Sequence, residues 1–144
     1  MKHVLLDSGF LFAYFDEKDS YHKNAIEYSY LITQREEYYL IIPCAVLFEV
    51  LNTKFMKNLN ILKKFEKEIL NRKNTNFYQH TECKELAKEQ LKERLHGKRI
   101  SLVDGVLRYI LKTERKIDVF VTSNPTDFFD LLRETTQIID IRRA

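Results

Sequence analysis

The sequence predicts an α/β protein with a three-layer fold, in which a mainly parallel, five-stranded sheet carries helices on both faces. Short runs of apolar and β-branched residues recur along the chain, and segments of helical periodicity lie between most of them. Strands that alternate with helices favour parallel pairing through right-handed crossovers. The five expected strands are residues 4–6, 38–42, 77–78, 117–121 and 136–141.

The first strand is short and apolar, so we expect it to lie buried in the sheet. Asp-Ser-Gly follows it and places Asp7 at its carboxyl end. Pro43 ends the second strand and favours the first turn of the next helix. The helices expected in the first half of the chain are residues 10–15, residues 21–36 with Asp19 or Ser20 as N-cap, residues 43–56 and residues 61–70.

Two segments in the second half predict the longest helices. The first extends from Thr81 to Leu95 and is closed by Gly97, because glycine favours a helix C-terminus. The second is capped by Ser101 and carries an apolar stripe that only Asp104, in its first turn, interrupts. The residues of this stripe are Val103, Val106, Leu107, Ile110 and Leu111.

Length and composition are those of one folded domain. The 144 residues are 44% hydrophobic and 31% charged, so we expect residues 1–144 to form a single domain whose core needs no disulfide. Cys44 and Cys83 stand alone, outside any zinc-ligand pattern, which favours a reducing compartment. No apolar stretch approaches membrane-spanning length and no signal-peptide pattern opens the chain. We therefore expect a cytoplasmic location without membrane contact.

The charge balance permits contact with nucleic acid without requiring it. The formal net charge is +3, and Lys and Arg cluster within residues 54–73 and 84–99. Such clusters could contact phosphates, but on amphipathic helices they most often keep the outer face solvated.

Three acidic residues, Asp7, Glu49 and Asp104, lie in otherwise apolar stretches. Acidic side chains are rarely buried unless a cation or a metal compensates their charge. We therefore expect the three to share one hard metal ion, which indicates phosphate chemistry. Structural roles compete for two of them, since Asp7 fits a turn and Asp104 fits a helix N-terminus. Glu49, midway along an apolar helix, is the hardest to explain structurally.

The sheet itself is expected to bring these acids together. Ligands of open parallel sheets bind outside the carboxyl ends of the strands, where both Asp7 and Thr122 follow strands. Glu49 and Asp104 lie near the starts of helices, which begin at that same edge when they follow strands. The sequence therefore predicts a single acidic pocket.

Side chains beside the pocket are expected to support it. Thr122 or Ser8 can hydrogen-bond a pocket carboxylate through its hydroxyl group. Asp127 is better explained as a helix cap than as a metal ligand.

Four segments, taken in order, resemble the motifs of PIN-domain proteins, and the size and layout are similar to those of the VapC-type toxins of bacterial toxin–antitoxin pairs. Four motifs in order are more specific than any one of them, and together they extend over nearly the whole chain. The segments are Val4-Leu5-Leu6-Asp7-Ser8, Ile42-Pro43-Cys44-Ala45-Val46-Leu47-Phe48-Glu49-Val50-Leu51, Ser101-Leu102-Val103-Asp104-Gly105-Val106-Leu107 and Val121-Thr122-Ser123-Asn124-Pro125-Thr126-Asp127-Phe128.

The resemblance implies a metal-dependent endoribonuclease in which Asp7, Glu49 and Asp104 hold Mg²⁺ or Mn²⁺ and a water is directed at an RNA phosphodiester. Among them, Asp7 and Asp104 are the expected direct ligands, and Glu49 is expected to orient or deprotonate the water. An antitoxin protein and a second copy of the chain are the implied protein partners. The departure is Asn124, where many family members carry Asp, so a second ion would be held less well.

Two other classes of protein compete with this hypothesis. A catalytically inactive PIN-like module that binds RNA or protein would account for Asn124. A phosphoryl-transfer enzyme that forms an aspartyl phosphate at Asp7 would usually carry a second acid two residues later, where this chain has Gly9.

A group of aromatic residues follows Asp7 closely. They could stack on RNA bases, although packing in the core or against a partner is the preferred explanation. Apolar residues near Phe12 and over residues 55–65 could likewise form a homodimer face or a groove for an antitoxin helix. The aromatic residues are Phe10, Phe12, Tyr14 and Phe15.

Overall fold

A five-stranded sheet in which all neighbouring strands are parallel forms the centre of the structure. The structure is a computed structural model that describes residues 1–79, 83–97 and 101–143. The strand order is β3-β2-β1-β4-β5. This confirms the predicted fold class and sheet. The strands are β1 (Lys2–Leu6), β2 (Tyr38–Pro43), β3 (Thr75–Tyr78), β4 (Val119–Thr122) and β5 (Gln137–Asp140).

Helices connect successive strands and cover both faces of the sheet. Val4, Leu5 and Leu6 are all fully buried, and consecutive strand residues point to opposite faces, so both faces of β1 are shielded from water. Across the described ranges, no helix combines the length and the apolar character needed to span a bilayer. The α-helices are α1 (Ser8–Phe15), α2 (His22–Glu27), α3 (Tyr30–Thr33), α4 (Cys44–Leu51), α5 (Leu59–Phe65), α6 (Cys83–Leu95) and α7 (Leu102–Thr113).

The order of the strands creates a switch point between β1 and β4. The chain adds β2 and β3 on one side of β1, then crosses to the other side and adds β4 and β5. Backbone pairing there is direct, with Leu6 opposite Val121. In parallel sheets the crevice outside the carboxyl ends of the strands at such a point is where ligands bind.

One expected helix, residues 21–36, is instead two short ones, α2 and α3. The amides of Tyr28 and Ser29 bond to carbonyls three residues back, on Ala25 and Ile26, which tightens and ends α2. Tyrosine and serine are weak helix formers, so local propensity does not resist the break. Asp19 accepts a hydrogen bond from the Tyr21 amide in the preceding turn and does not cap α2.

Other helix bounds also differ from the prediction. α1 begins at Ser8 because the Asp7 side chain accepts a hydrogen bond from the backbone amide of Ser8, which has no partner within the helix. α4 ends at Leu51 rather than at Met56, since the Thr53 hydroxyl donates to the Val50 carbonyl at 2.6 Å and a short 3₁₀ helix (Lys54–Lys57) follows. A π-helical turn (Glu66–Leu70) extends α5. The expected start of α6 at Thr81 and the Cys83 side chain lie outside the described residues.

A buried arginine ties the far edge of the sheet together. The Arg72 guanidinium, in a residue only 4% exposed, donates from Nε to the Ile32 carbonyl at 2.9 Å and from Nη2 to the Tyr38 carbonyl at 2.8 Å. Its Nη1 donates to the Asn74 carbonyl at 2.7 Å. The charged group therefore links the end of α3 to the starts of β2 and β3. Burial, followed by the nearby charge of Arg35, lowers the pKa of Arg72 to about 10, which keeps it protonated at neutral pH.

Replacing this arginine is expected to destabilise the fold strongly. Arg72→Met keeps much of the apolar stem but leaves several buried carbonyls without a donor, at about 1–3 kcal/mol each. We expect urea unfolding to show a loss of at least about 3 kcal/mol. The matched control is Arg35→Met at an exposed position, which is expected to stay within about 0.5 kcal/mol. Equal losses for the two variants would contradict a linking role for Arg72.

Candidate active site

Asp7 lies at the switch point, directly after β1. Its amide donates to the Val121 carbonyl of β4 at 3.0 Å, so the pairing of the two strands fixes its backbone. The residue is 5% exposed and is the N-cap of α1. This position follows from the sequence, because a polar residue that ends a buried strand and starts a helix has little freedom to move.

Hydrogen-bond donors from the start of α1 and from the end of β4 hold the Asp7 carboxylate. Oδ1 accepts from the Ser8 amide at 2.6 Å and from the Ser8 hydroxyl at 3.2 Å. Oδ2 accepts from the Thr122 hydroxyl at 2.8 Å. Both hydrogen bonds expected of Ser8 and Thr122 are therefore present. Burial raises the pKa of Asp7, while these hydrogen bonds, Thr122 first, act in the opposite direction.

Glu49 and Asp104 share a cavity with Asp7. Glu49 comes from α4 and Asp104 from the first turn of α7. The Ser101 hydroxyl caps α7 by accepting a hydrogen bond from the backbone amide of Asp104 at 3.1 Å. The three carboxylates line one open cavity of about 300 Å³. Its other polar side chains are Ser8, Ser101, Ser123 and Asn124.

The expectation that all three acids lie in packed sequence is wrong for Glu49. Asp7 is buried and Asp104 is half-buried, but Glu49 is exposed. The apolar residues beside Glu49 explain the error, because Val50 packs inward while Phe48 is 65% exposed. An apolar run on a helix does not imply burial when part of it faces outward.

The charge of Asp7 raises the pKa values of the other two carboxylates. Burial and then the charge of Asp7 raise the pKa of Asp104 to about 6, with smaller contributions from Asp127 and Glu49. Burial and then the charge of Asp7 also raise the pKa of Glu49, which a hydrogen bond with Ser8 partly offsets. Negative charge is thus concentrated at one cavity where a cation would be stabilised.

The donor set suits a hydrated hard cation rather than a dehydrated one. Among residues 1–79, 83–97 and 101–143, no three His, Cys, Asp or Glu side chains are arranged to hold one metal ion directly. Mg²⁺ keeps several waters and is commonly bound through only one or two carboxylates. Asp7 and Asp104 could hold such an ion, with Glu49 reaching it through water.

Asn124 and Asp127 form a pair at the rim of the cavity. The backbone amide of Asn124 donates to the Thr122 hydroxyl at 3.0 Å. The side-chain Nδ2 of Asn124 donates to Oδ2 of Asp127 at 2.6 Å. Asn124, not Asp127, occupies the N-cap position of the following 3₁₀ helix (Pro125–Leu131). The expectation of Asp127 as a helix cap is therefore wrong. Its carboxylate instead holds the Asn124 side chain and does not line the cavity.

Sequence reasoning missed a close approach between Gly9 and Ser123. A Cβ on Gly9 would collide with the Ser123 hydroxyl group and crowd the Ser123 Cβ, so a larger residue at this position would force the Ser123 side chain to move. Phe12 was not distinguished from the other aromatic residues of α1, although it alone among them lines the cavity. Its spacing of four residues from Ser8 was the available signal.

Comparisons with known proteins support the fold. No family model and no curated protein matches the chain. The crystal structure of VapBC2 from Rickettsia felis bound to a DNA fragment from their promoter contains a similar chain, with a TM-score of 0.57, 14% identity, and coverage of 94% of this chain and 96% of that one. FitAcB from Neisseria gonorrhoeae gives a TM-score of 0.58, 14% identity and coverage of 98% and 99%. The likeness is one of fold, and it confirms the PIN-like α/β architecture.

The Thr122 hydroxyl is expected to stabilise the ionised form of Asp7. Thr122→Val keeps the shape but removes both a donor to Asp7 and an acceptor for the Asn124 amide, so we expect urea unfolding at pH 7 to show a loss of about 2 kcal/mol. The loss should shrink as the pH is lowered and Asp7 becomes protonated. The control is Thr122→Ser, which keeps the hydroxyl group. The difference in unfolding free energy between this variant and the wild type should not depend on pH. A pH-independent loss in Thr122→Val would refute the interaction.

Without metal, the folded protein is expected to gain stability as the pH falls. The pKa of Asp104 is about 6 in the folded state and 3.8 for the ordinary group, so ionisation is penalised in the folded state above about pH 6 and the penalty disappears as the pH falls through 6 toward 4. Thermal unfolding in EDTA should therefore give a higher midpoint at pH 5 than at pH 7. Asp104→Asn should raise the midpoint at pH 7 and weaken this trend, whereas the exposed control Glu17→Gln should change neither. A midpoint lowered by Asp104→Asn would contradict the electrostatic argument.

Proposed function

We propose that this chain is an Mg²⁺- or Mn²⁺-dependent endoribonuclease of the toxin type. The observation that carries the proposal is the convergence of Asp7, Glu49 and Asp104 on one cavity at the switch point of a PIN-like sheet. Carboxylates whose pKa values are raised by burial and by each other are characteristic of cation and catalytic sites.

The three acids have different surroundings, and these support different roles. Asp7 and Asp104 are the less exposed two and would hold the ion. When bound, a divalent ion supplies positive charge next to the scissile phosphate and lowers the pKa of a water molecule. Glu49 is exposed at the cavity, so its carboxylate can orient the attacking water and accept its proton. Its raised pKa makes it a better base than an ordinary glutamate.

The partners proposed are an antitoxin protein, a second copy of this chain and RNA. VapBC2 and FitAcB are two-component complexes with a chain of this fold, which supports a protein partner. Exposed apolar side chains at Phe48, Leu51 and Leu59 offer surface for such contacts. The free thiol of Cys44 is in keeping with a reducing cytoplasm, which we retain as the proposed compartment.

An inactive binding module is the second candidate, and two observations favour it. The described residues do not place three metal-binding side chains around one point, and Asn124 adds no charge at the rim. Such a module would keep the cavity and bind RNA or protein without cutting RNA.

Cleavage of single-stranded RNA with Mn²⁺ or Mg²⁺ tests the proposal. We expect cleavage by the wild type, abolition by EDTA and recovery when Mn²⁺ is restored. Asp7→Asn, Glu49→Gln and Asp104→Asn should each reduce kcat by at least about 100-fold, because each loses a metal ligand or the general base. The matched control is Glu17→Gln, an exposed acid outside the cavity, which should cut at the wild-type rate.

Metal binding can be measured apart from cleavage. Millimolar Mn²⁺ should raise the thermal midpoint of the wild type and of Glu49→Gln, and should raise it much less for Asp7→Asn. Cleavage that persists in Asp7→Asn and Glu49→Gln would reject the proposed site. RNA binding without cleavage in any divalent metal would favour the binding module.

A further inference from the structure

Phe12 differs from the other aromatic residues that follow Asp7. Phe10, Tyr14 and Phe15 are buried in the core, as the preferred explanation from sequence has it. Phe12 is only partly buried and lines the acid cavity. Packing in the core accounts fully for three of the four aromatic side chains, whereas Phe12 packs against the core with part of its surface and lines the cavity as well.

The backbone of α1 and the ring of Phe55 restrain the position of the Phe12 ring. Phe12 lies four residues after Ser8 on α1, so both side chains are on the same face, separated by about 6 Å along the helix axis. The Phe55 ring stands at 89° to it, with the centroids 6.2 Å apart, and this contact restrains its orientation. A flat apolar surface is thus held one helical turn from Ser8, in the same cavity as the carboxylates.

The rest of the cavity defines what could contact this ring. Its lining combines the carboxylates of Asp7, Glu49 and Asp104 with two apolar side chains, those of Phe12 and Val103. Among the described residues that line the cavity, none is Lys or Arg. A nucleotide whose phosphate lies at the acidic end, next to a cation, would therefore find in Phe12 a surface for its base. Stacking of bases on aromatic side chains is the common mode of single-stranded RNA recognition.

We propose that Phe12 is the platform on which the base of the nucleotide beside the scissile phosphate stacks. The proposal rests on the endoribonuclease function proposed above. It makes Phe12 a specificity-determining residue, because a paired base is already stacked on its neighbours and cannot also cover the ring.

The test uses single-stranded RNA that carries 2-aminopurine, whose fluorescence is quenched on stacking, at successive positions. Binding is measured with Mg²⁺ in the Glu49→Gln background, where cleavage is expected to stop. We expect quenching at one position, and expect Phe12→Leu to abolish it and to weaken binding about fivefold or more, the effect of losing one stacked base. Phe12→Tyr keeps a ring and should retain both. Phe129→Leu, at an exposed phenylalanine that does not line the cavity, is the matched control and should change neither.

Cleavage kinetics with an abasic nucleotide at that position complete the test. With an otherwise wild-type active site, removing the base should raise KM about as much as Phe12→Leu does, and Phe12→Leu should have no further effect on the abasic RNA. An equal loss on abasic and intact RNA would mean that the ring acts only on the fold, and would overturn the inference. Unchanged quenching and cleavage in Phe12→Leu would also overturn it and would leave the ring as surface for a protein partner.

The outcomes separate this inference from the proposed function. If the wild type cleaves RNA while Phe12→Leu is unchanged, the inference fails and the endoribonuclease stands. If no divalent metal supports cleavage, yet quenching depends on Phe12, the endoribonuclease proposal fails and base stacking stands as a property of a binding module.

Discussion

The burial of one carboxylate between two parallel strands determines the arrangement of the candidate site. Asp7 is fixed by backbone pairing of β1 with β4 and by hydroxyl groups from Ser8 and Thr122. Because its charge is almost removed from water, the pKa of Asp7 rises, and its charge also raises the pKa values of Glu49 and Asp104. The same residue caps α1 and so directs that helix, with Phe12, along the cavity.

This arrangement costs stability that the rest of the fold must offset. Three carboxylates at one cavity repel each other when no cation is bound, and a folded domain is stable by only a few kcal/mol in total. The fully buried strand residues Val4, Leu5 and Leu6 lie directly before Asp7. At the far edge of the sheet, Arg72 joins α3, β2 and β3 through backbone carbonyls. The buried residues of β1 and the Arg72 contacts therefore supply stability from parts of the fold that lie outside the cavity.

The sheet and the meeting of the acids could be predicted from the sequence, because both follow from topology. Buried strands must be apolar, and strand ends in a parallel sheet meet at one edge, so Asp7 and Thr122 had to be neighbours once β1 and β4 paired. Helix ends could not be predicted as well, since they depend on contacts such as the Thr53 hydroxyl bond that ends α4. The exposure of Glu49 and the pairing of Asp127 with Asn124 are likewise properties of the packed chain.

The same topology explains how a likeness of fold can persist at 14% identity to the chains of VapBC2 and FitAcB. The position of the cavity requires only apolar strands, a polar residue at the end of β1 and helices that start at that edge, and many sequences satisfy these conditions. What the cavity binds depends instead on the side chains around the acids. In this chain those include a phenylalanine restrained by a second ring and an asparagine restrained by an aspartate, both at the mouth of the acid cavity. Under the proposed function, the three acids at this edge of the sheet would set the chemistry, and side chains of α1 and of the segment after β4 would set the specificity.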